Sequence, residues 1–204
     1  LAKVNGRLVL RLSEADILPF RFVNMVENIG SFIESNKKLA EEVAKKTEKR
    51  NKLLDQEAYT IAGNPKKTYL PPKRLDEVPD FDFGPLEAAH GRLESSAWKY
   101  EIALANIKKG SLSAGQKSQV NQFLREVEQA MTRGDGLPRR DWFKNMIYAP
   151  GFYTGYGVKT LPGIREGLEE RKWEEVHTYI GEVAKALDRA SAKINAAAKI
   201  LEGA

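Results

Sequence analysis

Side chains able to carry out metal or nucleophile chemistry are scarce. There are two histidines, His90 and His177, and no cysteine in 204 residues. Hydrolytic zinc centres draw on several imidazoles, often paired four residues apart on a helix, so these two isolated histidines read as partly exposed helix residues. Lack of cysteine excludes a thiolate nucleophile, a disulfide framework and attached c-type haem. No residue is assigned to catalysis or to metal. The remaining candidates gather in residues 134–163, GDGLPRRDWFKNMIYAPGFYTGYGVKTLPG, where Trp142, Phe143, Tyr148, Phe152, Tyr153 and Tyr156 are interleaved with Gly134, Gly136, Gly151, Gly155, Gly157 and Gly163. Aromatics and glycines supply contacts and turns, not reacting groups. A tyrosine presents a flat apolar body and one hydroxyl donor. A loop of about thirty residues without regular structure is uncommon in a compact domain and is more often functional than not.

The elements that must position this loop are helical. Phe22, Val26, Ile29, Ile33, Ala40 and Val43 fall at helical steps, predicting a helix to about Leu54 with Pro19 at its start. Leu86, Ala89, Leu93, Ala97, Tyr100, Leu104 and Ile107 form a second stripe, with Pro85 in its first turn and Gly110 beyond its end. Ser113-Ala114-Gly115-Gln116 reads as a capping box opening a third helix through Val120, Phe123, Leu124, Val127 and Met131. A last helix spans about Lys172 to Leu201, with Trp173, Val176, Ile180, Val183, Leu187, Ile194 and Leu201 on one face. Together they predict an all-α, four-helix-bundle-like fold, one domain over 1–204. Gly63-Asn64-Pro65, Pro71-Pro72 and Pro79-Asp80 mark residues 55–84 as an extended connection, and Pro162 should open a short helical turn. On the last helix Trp173, Tyr179, Ala184, Ala190, Ala192, Ala196 and Ala197 widen the weakly polar face beyond one core's need. Trp142, Tyr148, Trp173 and Tyr179 are therefore the expected interface residues.

Composition narrows the partners. Forty-two per cent hydrophobic and 30% charged residues describe a folded chain, and 33 basic against 28 acidic residues give a net charge of +5 with the signs interleaved. The doublets Lys37-Lys38, Lys45-Lys46 and Lys66-Lys67 form no basic stripe, which argues against nucleic-acid binding. No apolar run approaches the ~18 residues of a membrane span, and no signal-peptide pattern is present. The chain opens at Leu1 close to the structured-looking run Leu8-Val9-Leu10-Arg11-Leu12, so we expect a piece of a longer protein.

The run Gly136-Leu137-Pro138, Trp142-Phe143, Ile147-Tyr148-Ala149-Pro150, Tyr156 and Leu161-Pro162-Gly163-Ile164 resembles the transferrin-receptor-like dimerisation domain of glutamate carboxypeptidase II-like zinc peptidases. Ile17-Leu18-Pro19-Phe20 and the alanine-rich stretch Ala190 to Leu201 extend the resemblance over nearly the whole chain. It implies a C-terminal domain of a larger exopeptidase whose two zinc ions and catalytic residues lie in a preceding protease domain, so that this chain alone is no enzyme. It further implies a homodimer, packing against that protease domain, and a loop that closes on the C-terminal residue of a peptide substrate. In such peptidases a lysine–tyrosine pair contacts a terminal glutamate. Tyr156 matches the tyrosine, but Gly155 stands at the lysine position, and a desolvated carboxylate without a cation is costly. Lys159, three residues on, is the available substitute. The resemblance also implies an exported, periplasmic or extracellular parent. Two other readings stand beside it: an inert receptor-type dimerisation domain, and a free-standing helical bundle that binds a ligand or a protein.

Overall fold

A computed structural model describes residues 1–61, 70–108 and 110–203. The described residues form seven helices and one two-stranded sheet: α1 (Ala2–Ser13), α2 (Val23–Asp55), α3 (Ala58–Ile61), α4 (Gly84–Asn106), α5 (Ala114–Ala130), β1 (Tyr148–Pro150), β2 (Val158–Thr160), α6 (Pro162–Glu170) and α7 (Trp173–Glu202). The four long helices stand where the apolar spacing puts them, and the fold is mostly all-α. Ser113 and Gln116 form the capping box, the Gln116 N–H donating to Ser113 Oγ at 3.3 Å and the Ser113 N–H to Gln116 Oε1 at 2.9 Å.

The axis of the bundle is α7, which packs against α4, α5 and α6, while α2 lies on α4 and α6. A helix covered on three sides needs an apolar face wider than one stripe. That corrects the expectation of a leftover surface on this helix: Tyr179, Ala184, Ala190 and Ala197 are all buried within the chain. Of the widened face only Ala192 is exposed, with Ala196 and Trp173 half-buried. The buried alanines let α4 and α5 approach closely, and polar pairs fix their register. The Ser96 and Ser191 hydroxyls meet at 2.6 Å, Asn195 Nδ2 donates to Ser96 Oγ at 2.8 Å, and Arg92 pairs with Asp188 at 2.8 Å. Arg189 donates to the Ala130 and Thr132 carbonyls at 3.0 and 3.1 Å, satisfying orphan acceptors at the end of α5. His90 is half-buried on α4 with Nε2 2.9 Å from the Val26 carbonyl, and His177 is exposed with its ring 4.9 Å from that of Phe81.

The connection after α2 is not extended throughout. It contains α3, and the Gly63-Asn64-Pro65 turn and the Lys66-Lys67 doublet lie outside the described residues. Residues 70–83 carry no regular structure and are tied to α2, where Asn51 both donates to the Leu75 carbonyl at 2.8 Å and accepts the Leu75 N–H at 3.1 Å. The run Leu8–Leu12 lies in α1, a helix with no buried residue, whose Val4, Leu8, Val9 and Leu10 face solvent. The linker behind α1 is fastened to α5: Asn121 accepts the Leu18 N–H at 2.8 Å and donates to the Asp16 carbonyl at 3.0 Å.

Candidate functional site

Residues 131–161 form a ladder of turns ending in a hairpin, which corrects the expectation of an irregular loop. Backbone N–H groups of Arg133, Leu137 and Met146 donate to the carbonyls of Lys144, Phe143 and Met131 at 2.9, 2.9 and 3.2 Å. Met146, Ile147 and Ala149 then turn into the core, so the segment carries its own apolar anchors. β1 and β2 pair antiparallel, Tyr148 with Thr160, Ala149 with Lys159 and Pro150 with Val158. At the tip the Gly151 N–H donates to the Gly157 carbonyl at 2.8 Å and the Gly155 N–H to the Gly151 carbonyl at 3.0 Å. Gly151 is favoured by space, since a Cβ there would lie 2.5 Å from Thr154 Oγ1, which would have to turn aside. Gly155 is favoured by conformation, its φ being +64°.

The hairpin brings most of the expected binding residues together and leaves the tip uncovered. Tyr156 is 98% exposed and Tyr153 76%, with Phe152 edge-on to Tyr153 at 4.9 Å. Gly155 has open space around it. Lys159 points to α6 instead, where Nζ holds both carboxylate oxygens of Glu169 at 2.8 and 2.7 Å. Tyr148, half exposed, donates to Glu128 Oε1 at 3.2 Å, and the Glu128 charge, followed by burial and the hydrogen bond, raises its pKa.

Of the expected interface residues, Trp142 is 74% exposed on the turn before the hairpin. Trp173 packs elsewhere, 5.9 Å from the Phe81 ring and under the Arg171 guanidinium at 4.9 Å. Tyr179 is withdrawn from the surface set. It is buried, its hydroxyl donates to the Gly136 carbonyl at 3.2 Å, and its ring lies over Gly163, where a Cβ would come within 2.1 Å. Burial raises the pKa of Tyr179, opposed by the Arg133 guanidinium above its ring.

Charged residues beneath the hairpin were not legible in the sequence. Arg140 and Glu166 form an ion pair at 2.7 Å with side chains 5% and 4% exposed, and Glu166 also accepts the Phe152 N–H at 2.9 Å. Beside them Arg139, at φ +63°, donates to both oxygens of Glu175 at 2.7 and 3.0 Å and lies 3.5 Å from Glu170. Burial works against the Arg139 charge, but Glu175, Glu170 and Glu166 outweigh it and hold its pKa above the ordinary value. Both guanidinium groups sit near the Phe152 ring, at 5.5 and 5.9 Å. An Arg139-Arg140 doublet in a Gly- and Pro-rich stretch was the one available signal, and its partners lie 26 and 36 residues away.

Among the described residues no group of three or more His, Cys, Asp or Glu is arranged to hold a metal ion, and no helix is long and apolar enough to cross a membrane. The residues present do not fit a zinc site. The site can present aromatic and hydroxyl contacts to a ligand.

Comparison with known proteins matches the model of the transferrin receptor-like dimerisation domain to residues 81–195. A probable glutamate carboxypeptidase, LAMP1, of Arabidopsis thaliana is 28% identical over 198 residues, which is 94% of this chain and 23% of that protein. A probable glutamate carboxypeptidase of Arthroderma benhamiae is 32% identical over 129 residues, 61% of this chain and 16% of that protein. The chain thus spans less than a quarter of the length of these relatives.

Proposed function

This chain belongs to the transferrin receptor-like dimerisation domain family and is the dimerisation domain of a glutamate carboxypeptidase-like protein, and from that premise we propose that it joins two copies of a di-zinc exopeptidase and lends its hairpin to the substrate pocket. The observation that carries this reading is the mounting of the tip. Tyr153 and Tyr156 are exposed, yet the hairpin beneath them is held by a buried ion pair and a row of backbone hydrogen bonds. A surface aromatic set on a rigid frame suits gripping a peptide at low entropic cost.

In this reading the protease domain supplies both zinc ions and the catalytic groups, and no chemical step falls on this chain. Two surfaces serve the assembly. The apolar face of α1 lies outside the family match and meets the protein's own protease domain, whereas the bundle within residues 81–195 carries the two-fold contact between copies. Trp142 and Tyr148 remain the interface candidates of the hairpin region, and Trp173 the candidate at the start of α7. For the substrate, Tyr156 takes the C-terminal carboxylate. Gly155 offers no cation and Lys159 is already neutralised by Glu169, so a strict preference for glutamate is not expected.

The test uses the full-length protein. Sedimentation equilibrium should show a dimer, and dipeptides ending in glutamate, phenylalanine or leucine should be hydrolysed in a manner abolished by chelation. A strict monomer defeats the dimerisation claim, and absence of hydrolysis across the panel defeats the peptidase claim.

A further inference from the structure

We infer that Glu166 is the positioning residue of the hairpin: its buried carboxylate divides its two oxygens between the Arg140 guanidinium and the Phe152 backbone amide, and so sets where Tyr153 and Tyr156 stand. Three separate segments meet on this one side chain. Glu166 comes from α6, Arg140 from the turn before Trp142, and Phe152 from the hairpin tip, with Arg140 Nη2 donating to Oε2 at 2.7 Å and the Phe152 N–H to Oε1 at 2.9 Å. The hairpin cannot hold itself. It has three residue pairs, and an isolated two-stranded hairpin even of greater length is at best marginally stable in water.

The chemistry of the joint favours a positioning role over a purely cohesive one. An ion pair with both side chains about 5% exposed is costly to desolvate, and an apolar pair of similar volume would serve cohesion as well or better. What an apolar pair cannot do is accept the Phe152 N–H. Arg140, paired with the other Glu166 oxygen, also places its guanidinium 5.9 Å from the Phe152 ring centroid, so backbone and side chain of Phe152 are gripped from the same place. Gly155, at φ +64° and with open space where a side chain would stand, adds no anchor; the Arg139 guanidinium 5.5 Å from the Phe152 ring and the Lys159–Glu169 pair hold the flanks of the tip, while Glu166 takes the Phe152 backbone N–H itself. The consequence for the peptidase rests on the reading that this tip borders the substrate.

Two double variants separate the roles. Arg140→Leu with Glu166→Leu removes both the charges and the acceptor, whereas Arg140→Leu with Glu166→Gln removes the charges and keeps a carbonyl for the Phe152 N–H. In the present chain, hydrogen exchange at Phe152–Gly157 should quicken about tenfold or more in the first variant and stay within about twofold of wild type in the second, with α4 and α7 amides unchanged in both. In the full-length enzyme, KM for a cleaved dipeptide should rise about fivefold in the first variant with kcat nearly constant, and recover in the second. Equal exchange in the two variants overturns the inference. So does a wild-type Phe152 amide that exchanges at the rate of a free peptide, a measurement that needs no variant to fold. If exchange separates the variants but the wild-type full-length protein cleaves no peptide, the peptidase reading fails while the positioning of the tip by Glu166 stands.

Discussion

Tyr156 and Tyr100 show how one residue type takes opposite roles. Tyr156 stands almost wholly in solvent, so its substitution cannot disturb the core. On the proposed peptidase reading, Tyr156→Phe in the full-length protein should lower kcat/KM about three- to tenfold while thermal unfolding of the chain is unchanged; unaltered kinetics would remove Tyr156 from the site. Tyr100 is fully buried, its hydroxyl has no hydrogen-bond partner among the described residues, and burial pushes its pKa up to about 12. The folded value lies above the ordinary 10.0, so the unfolded chain gives up its proton first. The tyrosine's contribution is therefore fully present below pH 10.0 and is lost as pH rises toward about 12, amounting to about 2–3 kcal/mol. Chemical denaturation at pH 7 and in the alkaline range should show Tyr100→Phe as stable as wild type at neutrality and less sensitive to alkali. A wild-type chain losing no more stability than the variant between those conditions would contradict this.

At the scale of elements, α6 and α7 are locked by an absence. The ring of Tyr179 occupies the space above Gly163, and a methyl group there would stand 2.1 Å from it. Gly163→Ala should therefore destabilise the chain by about 1–3 kcal/mol through overpacking, measured by denaturant unfolding. A shift below about 0.5 kcal/mol would mean that the ring can move aside. The same contact explains why Tyr179 looked like an interface residue in the sequence: an aromatic on a helix face says that something covers it. Here the cover is the preceding helix, α6, entered through Leu161 in the left-handed region at φ +47°.

At the scale of the whole molecule, α1 is an amphipathic helix that the described residues leave without a buried side chain. Replacing Leu8 and Val9 by glutamine should leave the unfolding free energy of the chain within about 0.5 kcal/mol, because neither side chain is buried. In the full-length protein the same pair should lower the unfolding temperature measurably, by calorimetry, if α1 seats against the protease domain. An unchanged full-length transition would assign that face to another contact. Asn121, which grips both sides of Leu18 and Asp16, fixes the point from which α1 departs.

What the sequence by itself determined is local. Apolar residues at helical steps and a serine–glutamine capping box set α2, α4, α5 and α7, because helix formation depends on neighbours three and four residues away. The family resemblance was carried by the same short range, in the Gly136 to Ile164 run. Only the tertiary structure decided how wide a face α7 needs, since that depends on how many helices surround it. It also decided that Lys159 is held by Glu169 and that Arg140 meets Glu166 and Phe152 beneath the hairpin. These contacts join groups 10 to 26 residues apart in chain order, from segments with no common period, and a buried charge finds its partner only when folding removes water from both.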